Sequence, residues 1–436
     1  MSPKPSTPTN QDPDLLAIAS QYLPGASVWQ WTLPPELAFV VERGEGSRLY
    51  DTQGRVFIDF VMSSGPLLLG HAQPAIVTAV QNQVAKGSSY HWLSAPTLRL
   101  AEQVCKAVPC AEKIRFVSTG TEATMFAIRI ARVFTKREKV LKFEGGFHGI
   151  HDYAMIGNAN AGMAPYPTPI PDIAGIPKGT VDSLLVVPFN DLGATEEVLA
   201  RYGQEIAAVI VEPLQRTIRP QPGFLPGLRE LTARHRIPLI FDEVVTGFRL
   251  AYGGAQEFYG VVPDLATYGK ALTCGFAMAA ICGRADLMET ANPARKGTTD
   301  FACLSGTLSG NPLASAAGIA ALGELSKPGV YARLSALGRR LREGMASLAA
   351  QQGVPLQALG EGPIAQPIFI DAQRPILSEA DLRGADGKRA VRLGYELIRR
   401  GIFVVPGAKM YLSLAHSEAD IDKTLQAFSD ALKASA

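Results

Sequence analysis

The sequence predicts an α/β fold: a large domain built on a mostly parallel sheet, with a smaller α+β domain completed by C-terminal residues. Three observations predict it. Near-continuous apolar runs at 207–211 and 237–241 read as strands covered on both faces. Helical patterns lie between such runs, as in βα units wound around a parallel sheet. Hydrophobic residues make up 47% and charged residues 19% of the 436, so a sizeable core is available.

Residues 1–14 are rich in Pro, Ser, Thr and Asn and read as a loose arm. Residues 38–43, followed by Gly44-Glu45-Gly46, read as a strand and turn, and 48–60 as a hairpin turning at Thr52-Gln53-Gly54. From Pro74 to Leu199 helices alternate with short apolar strands, 114–117 and 139–143 being the clearest. Asn311-Pro312 opens an alanine-rich helix, with Asn as N-cap and Pro at the first helical position. Beyond about 327 helices and short strands alternate again. These signals divide the chain into an arm with a small-domain segment (1–70), a large domain (71–310) and a C-terminal small domain (311–436). No internal repeat interrupts this order.

A net charge of +2 with no long basic run argues against nucleic acid as a partner. The five cysteines, Cys105, Cys110, Cys274, Cys282 and Cys303, match no zinc spacing, and no metal is expected. No N-terminal stretch has the form of a secretory signal and no apolar run is long enough to span a bilayer. A reduced, cytoplasmic setting without membrane contact is the expectation.

Lys270 follows a short buried segment and lies 28 residues after Asp242, which ends an apolar strand. A lysine so placed can condense with an aldehyde. An aspartate at a strand end can hold a pyridinium nitrogen protonated. Together they are the two anchors that pyridoxal phosphate requires. Read alone, Asp242 serves equally well as a loop cap.

Further motifs surround this pair. Thr119 and Glu122 have capping-box spacing, and Ala123, Phe126, Ala127, Ile130 and Phe134 fall on one helical face behind them. The turn at Thr119-Gly120-Thr121 offers backbone N–H groups to a phosphate, although by itself it is only a capped helix. In Phe143-Glu144-Gly145-Gly146-Phe147-His148-Gly149 the glycines let the backbone approach a ligand, and Phe147 can stack on a flat ring. His148 is an acid–base candidate or a structural histidine. Glu212 ends another apolar strand, lining the same crevice or pairing with a neighbour. No dinucleotide fingerprint or Walker loop is present.

Taken in order, Ser-Thr-Gly-Thr-Glu-Ala at 118–123, Phe-Glu-Gly-Gly-Phe-His-Gly at 143–149, Asp-Glu-Val-Val-Thr-Gly-Phe-Arg at 242–249, Gly-Lys at 269–270 and Gly-Thr-Leu-Ser-Gly-Asn-Pro at 306–312 resemble class III aminotransferases. The branch most similar is that of glutamate semialdehyde aminomutases. The resemblance implies a fold type I enzyme using pyridoxal 5'-phosphate, a homodimer with shared active sites, and amino and keto compounds as substrates. It implies Lys270 as the Schiff-base lysine, Asp242 at the pyridine nitrogen, Gly120 and Thr121 at the phosphate with Thr307 of a second subunit, and Phe147 and Val244 on the two ring faces.

Aminomutases of that branch carry an arginine soon after the Leu-Pro-Gly segment and a glutamate near the C-terminal end. This chain has no arginine between Leu23 and Leu33 and reads Pro-Gly-Ala-Lys-Met-Tyr at 406–411. With Trp29, Trp31 and Trp92 as candidate pocket residues, the expectation is transfer between an apolar or aromatic amine or amino acid and a keto acceptor. The alternative is an isomerase on the same scaffold, an aminomutase or a racemase. Arg249 and Lys409 are the cations that could reach the pocket from elsewhere.

Overall fold

A computed structural model describes residues 14–158 and 162–435. A seven-stranded sheet lies at its centre. Across it run Lys113–Val117, Ala279–Gly283, Leu265–Tyr268, Leu239–Glu243, Ile206–Val211, Lys139–Phe143 and Leu184–Val187. The last five are mutually parallel, and Ala279–Gly283 is antiparallel to both of its neighbours. Six strands therefore point their carboxyl ends to one edge.

Strand alternation sorts the apolar residues onto two faces. Val140, Ala208, Ile210 and Ile240 pack under the helix Gly120–Thr135, which buries Ala123, Phe126, Ala127 and Ile130. Leu141, Val209, Val211, Leu239 and Phe241 face the opposite layer, with Leu100, Val104 and Leu322. Burial on both sides explains why these strands read as unbroken apolar runs. The 237–241 run pairs two residues later than the sequence suggests. Pro238 has no N–H to give to the ladder, so the strand is Leu239–Glu243 and contains Asp242 and Glu243.

Asn311 caps the helix Pro312–Leu325 as expected, its side chain accepting from Ala314 N at 2.8 Å. That helix packs on Pro74–Val84 and Ala95–Ala107, and its Ala314, Ala317, Ala321 and Leu322 join the large core. The boundary drawn at 310/311 thus falls inside that core, which continues to Leu334, whereas the second core takes over at Leu337. A cap marks where a helix starts, not which core it joins.

The second core unites the two ends of the chain. Val41–Glu45, Arg48–Asp51 and Val56–Asp59 form antiparallel pairs, and Ile402–Phe403 adds in parallel to Val56–Asp59. Phe57, Ile58 and Phe60 pack with Leu341, Met345, Leu393, Leu397 and Phe428. The hairpin at 48–60 is present, and the strand expected at 38–43 is Val41–Glu45. The arm expected at 1–14 lies, apart from Asp14, outside the described residues. Asp14 caps a helix over Leu15–Tyr22. Among the described residues no helix is long and apolar enough to cross a membrane, and no cluster of potential metal ligands occurs.

Candidate active site

Five strand ends deliver the candidate residues to one edge. Asp242 closes Leu239–Glu243, Lys270 follows Leu265–Tyr268, and Glu212 follows Ile206–Val211. Phe147 and His148 lie in the loop after Lys139–Phe143, and Thr119 follows Lys113–Val117. The carboxyl edge of a parallel sheet is where such folds bind ligands.

Asp242 is buried and held from three directions. One oxygen accepts from Thr267 Oγ1 at 3.0 Å and from the Val244 N–H at 3.1 Å. The other lies 2.8 Å from His148 Nδ1. An ionised carboxylate only accepts, so Nδ1 is the donor of that pair. Nε2 of the same buried ring has no partner among the described residues. Thr267 gave no signal in the sequence. The parallel register that sets Asp242 opposite Thr267 brings it there.

Lys270 sits in the left-handed backbone region at φ +41°. A non-glycine residue there costs on the order of 1–2 kcal/mol, a strain that concentrates at functional positions. Its amine makes no hydrogen bond or ion pair among the described residues. Burial, above all, lowers its pKa below that of an ordinary lysine; the charges of Lys409 and Arg249 push the same way, against Tyr411 and Asp242. Burial therefore favours the neutral, nucleophilic amine.

The capping box forms as the spacing predicts. Thr119 Oγ1 accepts from Glu122 N at 3.1 Å, and the Glu122 carboxylate accepts from Thr119 N at 3.0 Å and Ser118 N at 2.7 Å. The N–H groups of Gly120 and Thr121 remain at the open end of a helix of 16 residues. That end favours an anion. A Cβ on Gly120 would stand 2.9 Å from Val244 Cγ1, and one on Gly269 3.3 Å from the same atom. Val244 is thus wedged between the helix start and the residue before Lys270. Thr307 is exposed, on a loop whose Gly306 borders Glu122 of the same chain.

Phe147 leaves 38% of its surface open, with the Arg216 guanidinium 5.2 Å from its ring centre. Its N–H donates to Glu212 at 2.9 Å. A free, half-buried amine, a fixed carboxylate, an open aromatic face and unpaired N–H groups together fit a flat anionic pyridine aldehyde. Pyridoxal phosphate is such a molecule.

Trp31 lies 6.5 Å from the Phe403 ring, whereas Trp29 and Trp92 are 60% and 84% exposed. Lys142, missed in the sequence, is buried and donates to Ala154 O (2.9 Å), Ile156 O (2.6 Å) and Asn158 Oδ1 (2.8 Å). It pins the chain that follows His148. A lysine inside an apolar strand was the available signal.

The family model for aminotransferase class-III matches residues 33–432. Glutamate-1-semialdehyde 2,1-aminomutase 2 of Brevibacillus brevis is 41% identical over 96% of this chain and 97% of its own length. Among solved structures, an omega-transaminase from Sphaerobacter thermophilus has a TM-score of 0.90 and 34% identity, covering 97% of both chains. A transaminase with pyridoxal phosphate bound has a TM-score of 0.87 and 27% identity, covering 97% of this chain and 96% of its own.

Proposed function

This chain belongs to the aminotransferase class-III family and is a pyridoxal-phosphate enzyme, and within that family we propose that it is an aminomutase acting on glutamate 1-semialdehyde. The observation that carries the amino-transfer reading is the unpartnered, half-buried Lys270 amine near Asp242, itself fixed by His148 and Thr267. The relative from Brevibacillus brevis favours the mutase over an intermolecular transfer.

Pyridoxal phosphate, when bound, supplies the ring that carries the amino group and withdraws electrons from the substrate carbon. Lys270 would hold its aldehyde carbon and then move a proton at Nζ to and from that substrate carbon, a task suited to an amine of lowered pKa. Asp242 would keep the proton on the ring nitrogen, with His148 and Thr267 holding its oxygens. Gly120 and Thr121 would receive the phosphate, and Phe147 and Val244 would border the ring.

A second reading is favoured by the likeness to the omega-transaminase: transfer from an apolar or aromatic amine to a separate keto acid. One experiment separates the two. The holoenzyme is given glutamate 1-semialdehyde without any acceptor, and 5-aminolevulinate is measured. Product without a second substrate supports the mutase. No 5-aminolevulinate, with an amino acid formed only when an aromatic amine and a keto acid are supplied together, supports the transaminase and sinks the mutase.

We also propose a homodimer. The helix Leu15–Tyr22 buries none of its residues, and Leu15, Leu16, Ile18, Val28 and Trp29 are exposed. An eight-residue helix is too short to persist in water without packing. Its apolar side therefore suits a second copy. A monomer by light scattering at micromolar concentration would refute this.

A further inference from the structure

We propose that Lys409 and Arg249, standing around the ring of Tyr411, bind a carboxylate of the substrate and so set the specificity of the site. The proposal rests on the reading of Lys270 as the amino-transfer centre.

Arg249 is among the most completely buried side chains of the molecule, with 1% exposed. Its Nε donates to Val245 O at 2.8 Å and its Nη2 to the Gly65 carbonyl. Nη1 has no partner among the described residues. Lys409, 8% exposed, makes no hydrogen bond or ion pair among them. The guanidinium carbon lies 5.4 Å, and the lysine nitrogen 5.9 Å, from the centre of the Tyr411 ring. Gly65 closes over that ring so tightly that a Cβ would stand 2.9 Å from it. The turn 62–65, with four successive positive φ angles, thus lies against the Tyr411 ring.

Both cations also act on Lys270, so the three positive groups share one neighbourhood. Burying an unpaired charge is costly, and such groups are normally paired. The nearby acids do not settle the account for Arg249, whose opposing influences are Tyr411, Cys274 and Tyr331, with no carboxylate among them. Glu212 and Glu379 act on Lys409, but Glu212 already accepts from Phe147 N, and Arg216 adds another positive charge. An incoming carboxylate would meet an unused guanidinium N–H and an unpaired ammonium, the donors that make the strongest hydrogen bonds to an anion. The sequence has no arginine between Leu23 and Leu33. This pair supplies positive charge from the core instead.

Burial first, then the charge of Arg216, lowers the Lys409 pKa to about 7; Arg249 adds to this while Glu212 and Glu379 oppose it. The protonated form attracts the carboxylate, so affinity should fall as pH rises above about 7. Arginine at 409 would remain charged and remove that fall.

The test is binding of pentanoate and its neutral isostere pentanamide to the holoenzyme, read by calorimetry. Wild type should prefer pentanoate by at least about tenfold. Lys409→Met should lose most of that preference. Lys409→Arg should keep it and extend it to higher pH. A wild type that binds both probes alike, or a Lys409→Met variant that still takes up cofactor and keeps the preference, would overturn the proposal. In a parallel arm, amines are added and the cofactor absorption followed. A carboxylate preference in a protein whose cofactor no amine alters would refute amino transfer while leaving this pair in place.

Discussion

His148 Nδ1 stands 2.8 Å from the carboxylate of Asp242, and both side chains are buried. The histidine arrives from the loop after one strand and the aspartate from the end of another, 94 residues apart in sequence. The same geometry leads to a set of measurable outcomes.

Replacing Asp242 by asparagine should leave the fold intact and reduce turnover by several orders of magnitude. The amide cannot balance a protonated ring nitrogen. Turnover within about tenfold of wild type, equivalent to ~1.4 kcal/mol of barrier, would give Asp242 another role. Lys270→Ala should abolish both turnover and the visible absorption that cofactor gains on binding.

His148→Ala should be milder. Thr267 and Val244 continue to hold one Asp242 oxygen, while the other loses its donor. A hydrogen bond to a charged group contributes about 1.5–3 kcal/mol, so a fall in kcat of roughly 10- to 100-fold is expected. An unchanged kcat would show that the pair only packs.

Gly120→Ala should weaken cofactor binding, because the new methyl would meet Val244 Cγ1 at 2.9 Å and push the helix start away. Trimming the opposing side chain in the double variant Gly120→Ala/Val244→Ala should restore part of the affinity. Equilibrium binding of pyridoxal phosphate checks both. No rescue in the double variant would place the cost in the backbone rather than in this contact.

Stability should fall in mild acid. The pKa of His416 is lowered by burial from 6.5 to about 4, and its Nδ1 accepts from the Ser413 N–H at 3.0 Å. Protonating that nitrogen would break the bond. The unfolded chain therefore takes up the proton first as pH drops, and stability is lost progressively between about 6.5 and about 4. Denaturant titrations at several pH values should show a shallower slope for His416→Asn than for wild type. Parallel slopes would exclude this histidine.

The sequence alone determined the main strands and the helix start because both are local. An apolar run covered on two faces is legible in five residues, and a capping box in four, so 139–143 and Thr119 with Glu122 stand where they were read. Lys270 and Asp242 could be singled out because pyridoxal chemistry needs one lysine and one acid at strand ends, and the fold brings both to the carboxyl edge of the sheet. Only the tertiary structure decided what depends on crossing the sheet. Parallel register set Thr267 beside Asp242. Packing of alanines on Leu100 carried the helix Pro312–Leu325 into the large core. Folding also decided that Trp31 packs near Phe403 while Trp29 and Trp92 stay exposed, because residue type carries no information on burial in a loop. Lys409 and Arg249 were candidates from the sequence, but only folding showed that both are buried and meet at the Tyr411 ring, because burial of a charge depends on elements distant in sequence.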